Sequence, residues 1–258
     1  MAMIEIAGEP FHVQIDGRDD APPLLISNSL SSDMSMWDDQ VPVWAERYRV
    51  IRYDHRGHGQ SVVSPAPYSM DQLGRDAVNI LDALGVRKAH WVGLSMGGMV
   101  GMWMLTHAPE RIDRAVLANT AAYMGPRELW DGRIRTAERG GMEALVQATL
   151  ERWFPAHFRG ANPAVMDRMR AMILRTQAQG YQANCAAIRD MDQREAIKGV
   201  DRPVLVIIGS RDPATTPADG EYIASAIPGA QKAYLDAAHI SNVEHPERFA
   251  ALVTEFLG

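Results

Sequence analysis

Residues 91–98 read Trp91-Val92-Gly93-Leu94-Ser95-Met96-Gly97-Gly98. An apolar run, Ala89 to Leu94, ends in a Gly-x-Ser-x-Gly pattern, and a helix-like run, Met96 to His107, follows at once. A strand, a sharp turn carrying serine and then a helix make the sequence form of a nucleophile elbow. Such a turn strains the backbone of its serine, so small residues must flank it, and Gly93 and Gly97 supply that room. The turn lifts the Ser95 hydroxyl clear of the sheet. The helix behind it points its N-terminus at the same place, where the backbone N–H of Met96 can stabilise an oxyanion. Gly-x-Ser-x-Gly also arises by chance in Gly/Ser loops; the flanking strand and helix set this instance apart.

Outward from the elbow, apolar β-rich runs alternate with helical patterns, which predicts an α/β fold with a mostly parallel, doubly wound sheet. Strands are expected at 4–6, 11–15, Leu24–Ser27, Arg49–Tyr53, Ala89–Leu94 and Ile112–Ala118. Helices are expected at Met36–Glu46 and Asp71–Leu84, the second ended by Gly85 as a C-cap signal. Between about Tyr123 and Gly199 the strand rhythm stops, and helical segments fall near 126–139, 142–152, 163–178 and 181–192. It resumes at Pro203–Ile208, followed by a helix near 217–226, a strand near 230–235 and a final helix, Pro246–Leu257. The expected organisation is a core of residues 1–122 and 200–258, with residues 123–199 inserted as a helical cap.

Composition narrows the function. Of the 258 residues, 47% are hydrophobic and 22% charged, ordinary for a globular chain that can bury a large core. A net charge of −6 argues against nucleic acid or an anionic membrane as partner. The lone cysteine, Cys185, excludes an internal disulfide framework and reads as a small buried hydrophobe on a helix. It fits a reducing compartment, and Met1–Gly8 shows no signal-peptide pattern, so a cytoplasmic location is expected. No apolar run approaches the length of a membrane span. The 15 methionines read first as fillers of core gaps, second as the lining of an adaptable pocket.

A serine hydroxyl is a poor nucleophile at neutral pH; it needs a base, and the base an orienting acid. Behind a nucleophile elbow the chain order is serine, acid, histidine. Asp212 lies just past the strand that ends near Ile208, and His239 just past the strand that ends at Leu235, so three strand ends supply Ser95, Asp212 and His239 in that order. Asp212 in Gly209-Ser210-Arg211-Asp212-Pro213 also reads as a turn-former. Asp236 is a rival acid, set too close to His239 in sequence to orient it, and the strand end after Ala118 offers only Asn119. His55 and His58, in Asp54-His55-Arg56-Gly57-His58-Gly59, read as polar residues that fix a loop. A second oxyanion donor should come from the loop after Ser27, where the backbone N–H of Leu30 is the candidate beside that of Met96.

These residues together resemble the α/β-hydrolase superfamily along the whole chain. Several segments resemble the 3-oxoadipate enol-lactonases of aromatic catabolism more narrowly. They are Ser27-Asn28-Ser29-Leu30, Asp33-Met34-Ser35-Met36-Trp37, Asn119-Thr120-Ala121-Ala122, Arg152-Trp153-Phe154, Gly180-Tyr181-Gln182-Ala183-Asn184-Cys185-Ala186-Ala187-Ile188 and Ala238-His239-Ile240-Ser241-Asn242. Ser31-Ser32 departs from the Gly-Thr more usual after the leucine. The resemblance implies the α/β-hydrolase fold and hydrolysis of a five-membered enol-lactone bearing a carboxymethyl side chain, with no metal or organic cofactor. A carboxylate-bearing small molecule entering a net-negative protein needs a local cation or several amide donors. Arg133, Arg135 and Arg152 are candidates, as against solvated helix arginines, and Trp153 is a candidate pocket wall, as against a packing residue of the cap. Another esterase, lactonase or carbon–carbon bond hydrolase would keep the same triad, and a ligand-sensing protein could keep the fold without turnover.

Overall fold

The computed structural model describes residues 2–258, and their chain order is as follows. Two antiparallel strands, β1 (Ala2–Ile6) and β2 (Glu9–Asp16), open the fold, followed by β3 (Pro23–Ser27), the short helix α1 (Val41–Trp44), β4 (Arg49–Tyr53) and α2 (Met70–Ala83). The elbow pair β5 (Ala89–Leu94) and α3 (Met96–His107) comes next, then β6 (Ile112–Ala118). Five helices without a strand follow: α4 (Arg127–Gly140), α5 (Glu143–Trp153), α6 (Ala156–Ala161), α7 (Pro163–Arg175) and α8 (Ala178–Asp190). The chain closes with β7 (Val204–Gly209), α9 (Pro217–Ala226), β8 (Gln231–Leu235), α10 (Ser241–Glu244) and α11 (Pro246–Leu257).

The strands form one eight-stranded sheet in the order β1-β2-β4-β3-β5-β6-β7-β8. The β1–β2 and β2–β4 pairings are antiparallel; β4, β3, β5, β6, β7 and β8 run parallel to one another. β5 and β7 are buried at every residue, as strands covered on both faces must be, while the edge strand β1 is mostly exposed. α2 shows why an amphipathic helix docks: Leu73, Ala77, Ile80 and Leu81 share the buried face, Ser69 caps the start by accepting the Gln72 N–H at 3.1 Å, and Gly85 follows the end with φ of +65°. α3 is apolar on all sides because it is buried on all sides, from Met96 to Leu105.

The expected single helix over Met36–Glu46 is two pieces, a 3₁₀ turn at Met34–Trp37 and then α1. Asp33 caps the first by accepting the Ser35 N–H at 3.0 Å, and Pro42, which has no N–H to donate back along a continuous helix, sits in the first turn of the second. The segment expected to be helical to residue 178 stops at Arg175, because Thr176 and Gln177 adopt extended backbone ahead of α8. α6 and α10, of six and four residues, are too short to show a helical period. Among the described residues no helix is long and apolar enough to cross a membrane.

Candidate active site

Ser95 sits between β5 and α3 with φ of +59°, left-handed backbone that costs an L-residue energy and clusters at functional sites. The flanking glycines are obligatory here. A Cβ on Gly93 would lie 2.2 Å from the Gly97 carbonyl oxygen, and one on Gly97 would lie 2.1 Å from that of Ser27. Thr120 donates its hydroxyl to the Ser95 carbonyl at 2.7 Å, tying the turn to the end of β6.

The carboxyl ends of β7 and β8 bring the other two groups to this point. His239 Nε2 lies 2.9 Å from Ser95 Oγ, and His239 Nδ1 lies 2.8 Å from Asp212 Oδ2. All three residues are buried. The Asp212 carboxylate accepts from the Ala214 and Thr215 backbone N–H groups at 2.8 and 3.1 Å, from the Thr215 hydroxyl at 2.8 Å and from Asn119 Nδ2 at 3.0 Å. Burial opposes its charge, yet the His239 imidazole and these donors hold the carboxyl below the ordinary aspartate range. This geometry lets Ser95 pass its proton to His239 while Asp212 stabilises the imidazolium. Asp236, the rival acid, faces solvent and pairs with Arg211 at 2.9 Å.

Asn119, read from the sequence as a strand end without an acid, belongs to the site. It sits in left-handed backbone with φ of +44°, donates to Asp212 and to the Ala238 carbonyl at 3.0 Å each, and accepts the Ser241 hydroxyl at 2.6 Å. One side chain thus links the ends of β6, β7 and β8. The signal was the position itself, a strand end facing those of Asp212 and His239.

Met96 is the first residue of α3 and follows Ser95 directly, so its N–H has no partner one turn back in the helix. Leu30 lines the same pocket as Ser95 and His239, and its N–H makes no hydrogen bond among the described residues. The next residue, Ser31, has φ of +67° and donates its N–H to His58 Nε2 at 2.9 Å. His55 Nε2 lies 3.1 Å from Ser27 Oγ, so the two histidines of the 54–59 loop hold the chain on either side of Leu30.

The roof of the pocket comes from the helical block. Trp130 and Arg133 of α4, Arg152 and Trp153 of α5 and Tyr181 of α8 line it together with Ser95 and His239. Arg133 stacks over the Trp130 ring at 4.4 Å, and Arg152 donates to the Thr149 hydroxyl at 3.0 Å. Among the described residues neither arginine pairs with a carboxylate, although most arginines of this acidic chain do. Burial and the like charge of Arg133 pull Arg152 down to about 10, so it keeps its charge at neutral pH. Arg135 is exposed and lies outside the pocket. Trp153 is both wall and brace, since its carbonyl accepts the Ile240 N–H, next to His239, at 3.2 Å. Cys185 is buried on α8, and burial pushes its thiol up to about 12, which leaves it inert at neutral pH.

The matching family model, described as alpha/beta hydrolase fold, covers residues 22–246. The chain is 39% identical over 233 residues to 3-oxoadipate enol-lactonase 2 of Acinetobacter baylyi, covering 90% of this chain and 87% of that one. It is 38% identical over 250 residues to 3-oxoadipate enol-lactonase 1 of the same organism, covering 97% and 94%. Its structure is similar to that of the enol-lactonase from Burkholderia xenovorans LB400, with a TM-score of 0.98, 41% identity and 99% of each chain covered.

Proposed function

The chain belongs to the alpha/beta hydrolase family, and we propose that within it this protein opens 3-oxoadipate enol-lactone to 3-oxoadipate through an acyl-enzyme, in the catabolism of aromatic compounds. The observation that carries the reading is the pair of arginines without carboxylate partners, Arg133 and Arg152, in the pocket that holds Ser95 and His239. The similarity to two proteins named as 3-oxoadipate enol-lactonases, and to an enol-lactonase of known structure, supports it.

In this mechanism His239 takes the Ser95 proton at Nε2, and Oγ attacks the ring carbonyl carbon. The Met96 and Leu30 N–H groups receive the oxyanion; loss of one such donor typically costs ~3 kcal/mol of transition-state stabilisation. Collapse breaks the bond to the ring oxygen, which leaves as an enolate and is protonated from His239. The leaving group stays tethered to the acyl part and could reclose the ring. Its conversion from enol to ketone removes that nucleophile. Water, deprotonated by the same His239, then releases the keto diacid and regenerates Ser95.

Residues 123–199 act as a cap over a core of residues 1–122 and 200–258. The cap supplies Arg133 and Arg152 for the remote carboxylate and Trp153 as a wall. Binding energy spent on the carboxylate holds the ring carbonyl over Ser95. The test is ring-opening of the enol-lactone followed by ultraviolet absorbance, beside a panel of homoserine lactones and short p-nitrophenyl esters. A preference for a neutral ester over the enol-lactone would contradict the reading.

A further inference from the structure

Among the described residues, those other than glycine with positive φ are, apart from Ala7, Ser31, Ser95 and Asn119. Two of these belong to the hydrogen-bonded group around Asp212 and His239. Ser31 is the third, and it follows Leu30 directly. Left-handed backbone at an L-residue persists only where the surroundings hold it. Ser32 closes the turn around Ser31, donating its N–H and hydroxyl to the Ser29 carbonyl at 3.3 and 2.7 Å, and the hold from outside the turn is the hydrogen bond from the Ser31 N–H to His58 Nε2, at 2.9 Å between residues 2% and 1% exposed, where water does not compete.

An acceptor at Nε2 requires a neutral ring with its proton on Nδ1. That proton faces the Arg56 carbonyl, 3.5 Å away. Burial holds His58 down at about 4, so the accepting form is the one present at neutral pH. The loop that carries His58 is itself clamped from the helical block. Asn184 of α8 donates Nδ2 to the Arg56 carbonyl at 2.9 Å. The backbones of Gly57 and Gly180 touch, and a Cβ on Gly180 would lie 2.2 Å from the Gly57 carbonyl oxygen.

We propose that His58 is a positioning residue for the oxyanion hole: by accepting the Ser31 N–H it keeps residue 31 in left-handed backbone and so keeps the Leu30 N–H directed at the oxyanion, with α8 bracing the loop from which it acts. Relaxation of φ at Ser31 would swing the chain at Leu30 and carry its amide away from Ser95. The proposal rests on the reading of Leu30 as an oxyanion donor in a serine hydrolase.

The test uses a short p-nitrophenyl ester with the full-length protein, rates being expressed per folded molecule, and Ser95→Ala as the control. His58→Leu should lower kcat on the order of tenfold to hundredfold, less than the outright loss of a donor, with KM within about twofold. In a Ser31→Gly background the same change should cost at least about threefold less, because glycine takes left-handed backbone without help. His58→Gln, whose Oε1 can accept the same N–H, should retain most of kcat, and the shorter His58→Asn should not. Equal losses from His58→Leu in both backgrounds would overturn the proposal. If His58→Leu does not fold, the Gln and Asn variants decide, and equal kcat for those two overturns it. Turnover that survives Ser95→Ala would instead overturn the serine-hydrolase reading, and this proposal with it.

Discussion

Asn119 donates its Nδ2 hydrogen to Asp212 Oδ2 at 3.0 Å, on the same oxygen that accepts from His239 Nδ1 at 2.8 Å. The amide therefore fixes which way the carboxylate presents its lone pairs, and so the tilt of the imidazole over Ser95. A hydrogen bond to a charged group contributes about 1.5–3 kcal/mol, so Asn119→Ala should lower kcat roughly tenfold to hundredfold with little change in KM. Asn119→Asp should do worse, since a second carboxylate beside Asp212 makes one of the two take up a proton. Steady-state kinetics on any substrate turned over by Ser95 checks this; a wild-type kcat for Asn119→Ala would remove the residue from the site.

The assignment of nucleophile and acid makes a paired prediction. Ser95→Ala should abolish hydrolysis and leave the fold intact by circular dichroism. Asp212→Asn should cut kcat on the order of 10⁴, by favouring the wrong imidazole tautomer. Asp236→Asn should have a small effect, as its carboxylate faces solvent beside Arg211. A reversal of the two aspartate effects would mean that the acid is Asp236.

Stability should fall on mild acidification. Burial holds the His55 ring down at about 3 and the His58 ring at about 4, below their ordinary 6.5. The unfolded chain therefore binds more protons than the folded one between about 4 and 6.5, and stability is lost as the pH drops through that window. By pH 5 each ring contributes a loss of up to about 2 kcal/mol. Urea midpoints at pH 7.5 and 5.0 measure this, and His58→Gln should show a shallower fall. An unchanged midpoint would contradict the neutral, buried state of the two rings.

The legible parts of this chain were those encoded locally. The Ser95 turn is readable because strain, glycines and helix all lie within a few residues of one another. Asp212 and His239 could be set beside it because each directly follows an apolar run whose end can be counted. The position of Asn119 at a strand end is readable, but its role is not, because its bonds reach residues 212, 238 and 241, which only the folded sheet brings near. Arg133 and Arg135 look alike in sequence; one lies in the pocket and the other is exposed because α4 turns about 200° between them. The break in the helix expected over 36–46 has a local mark in Pro42, which sits in the first turn of α1 and has no N–H to donate back to a preceding turn.

On the proposed function, the pocket recognises a lactone through its carboxylate. The most direct measurement compares kcat/KM for the enol-lactone acid and for its methyl ester, with wild type and with Arg133→Gln and Arg152→Gln. The acid should be preferred by wild type on the order of tenfold to hundredfold, the scale of a charge-assisted hydrogen bond, and the preference should shrink when the arginine that holds the carboxylate is neutralised. Equal kcat/KM for acid and ester in wild type would contradict the account and leave a general esterase in its place.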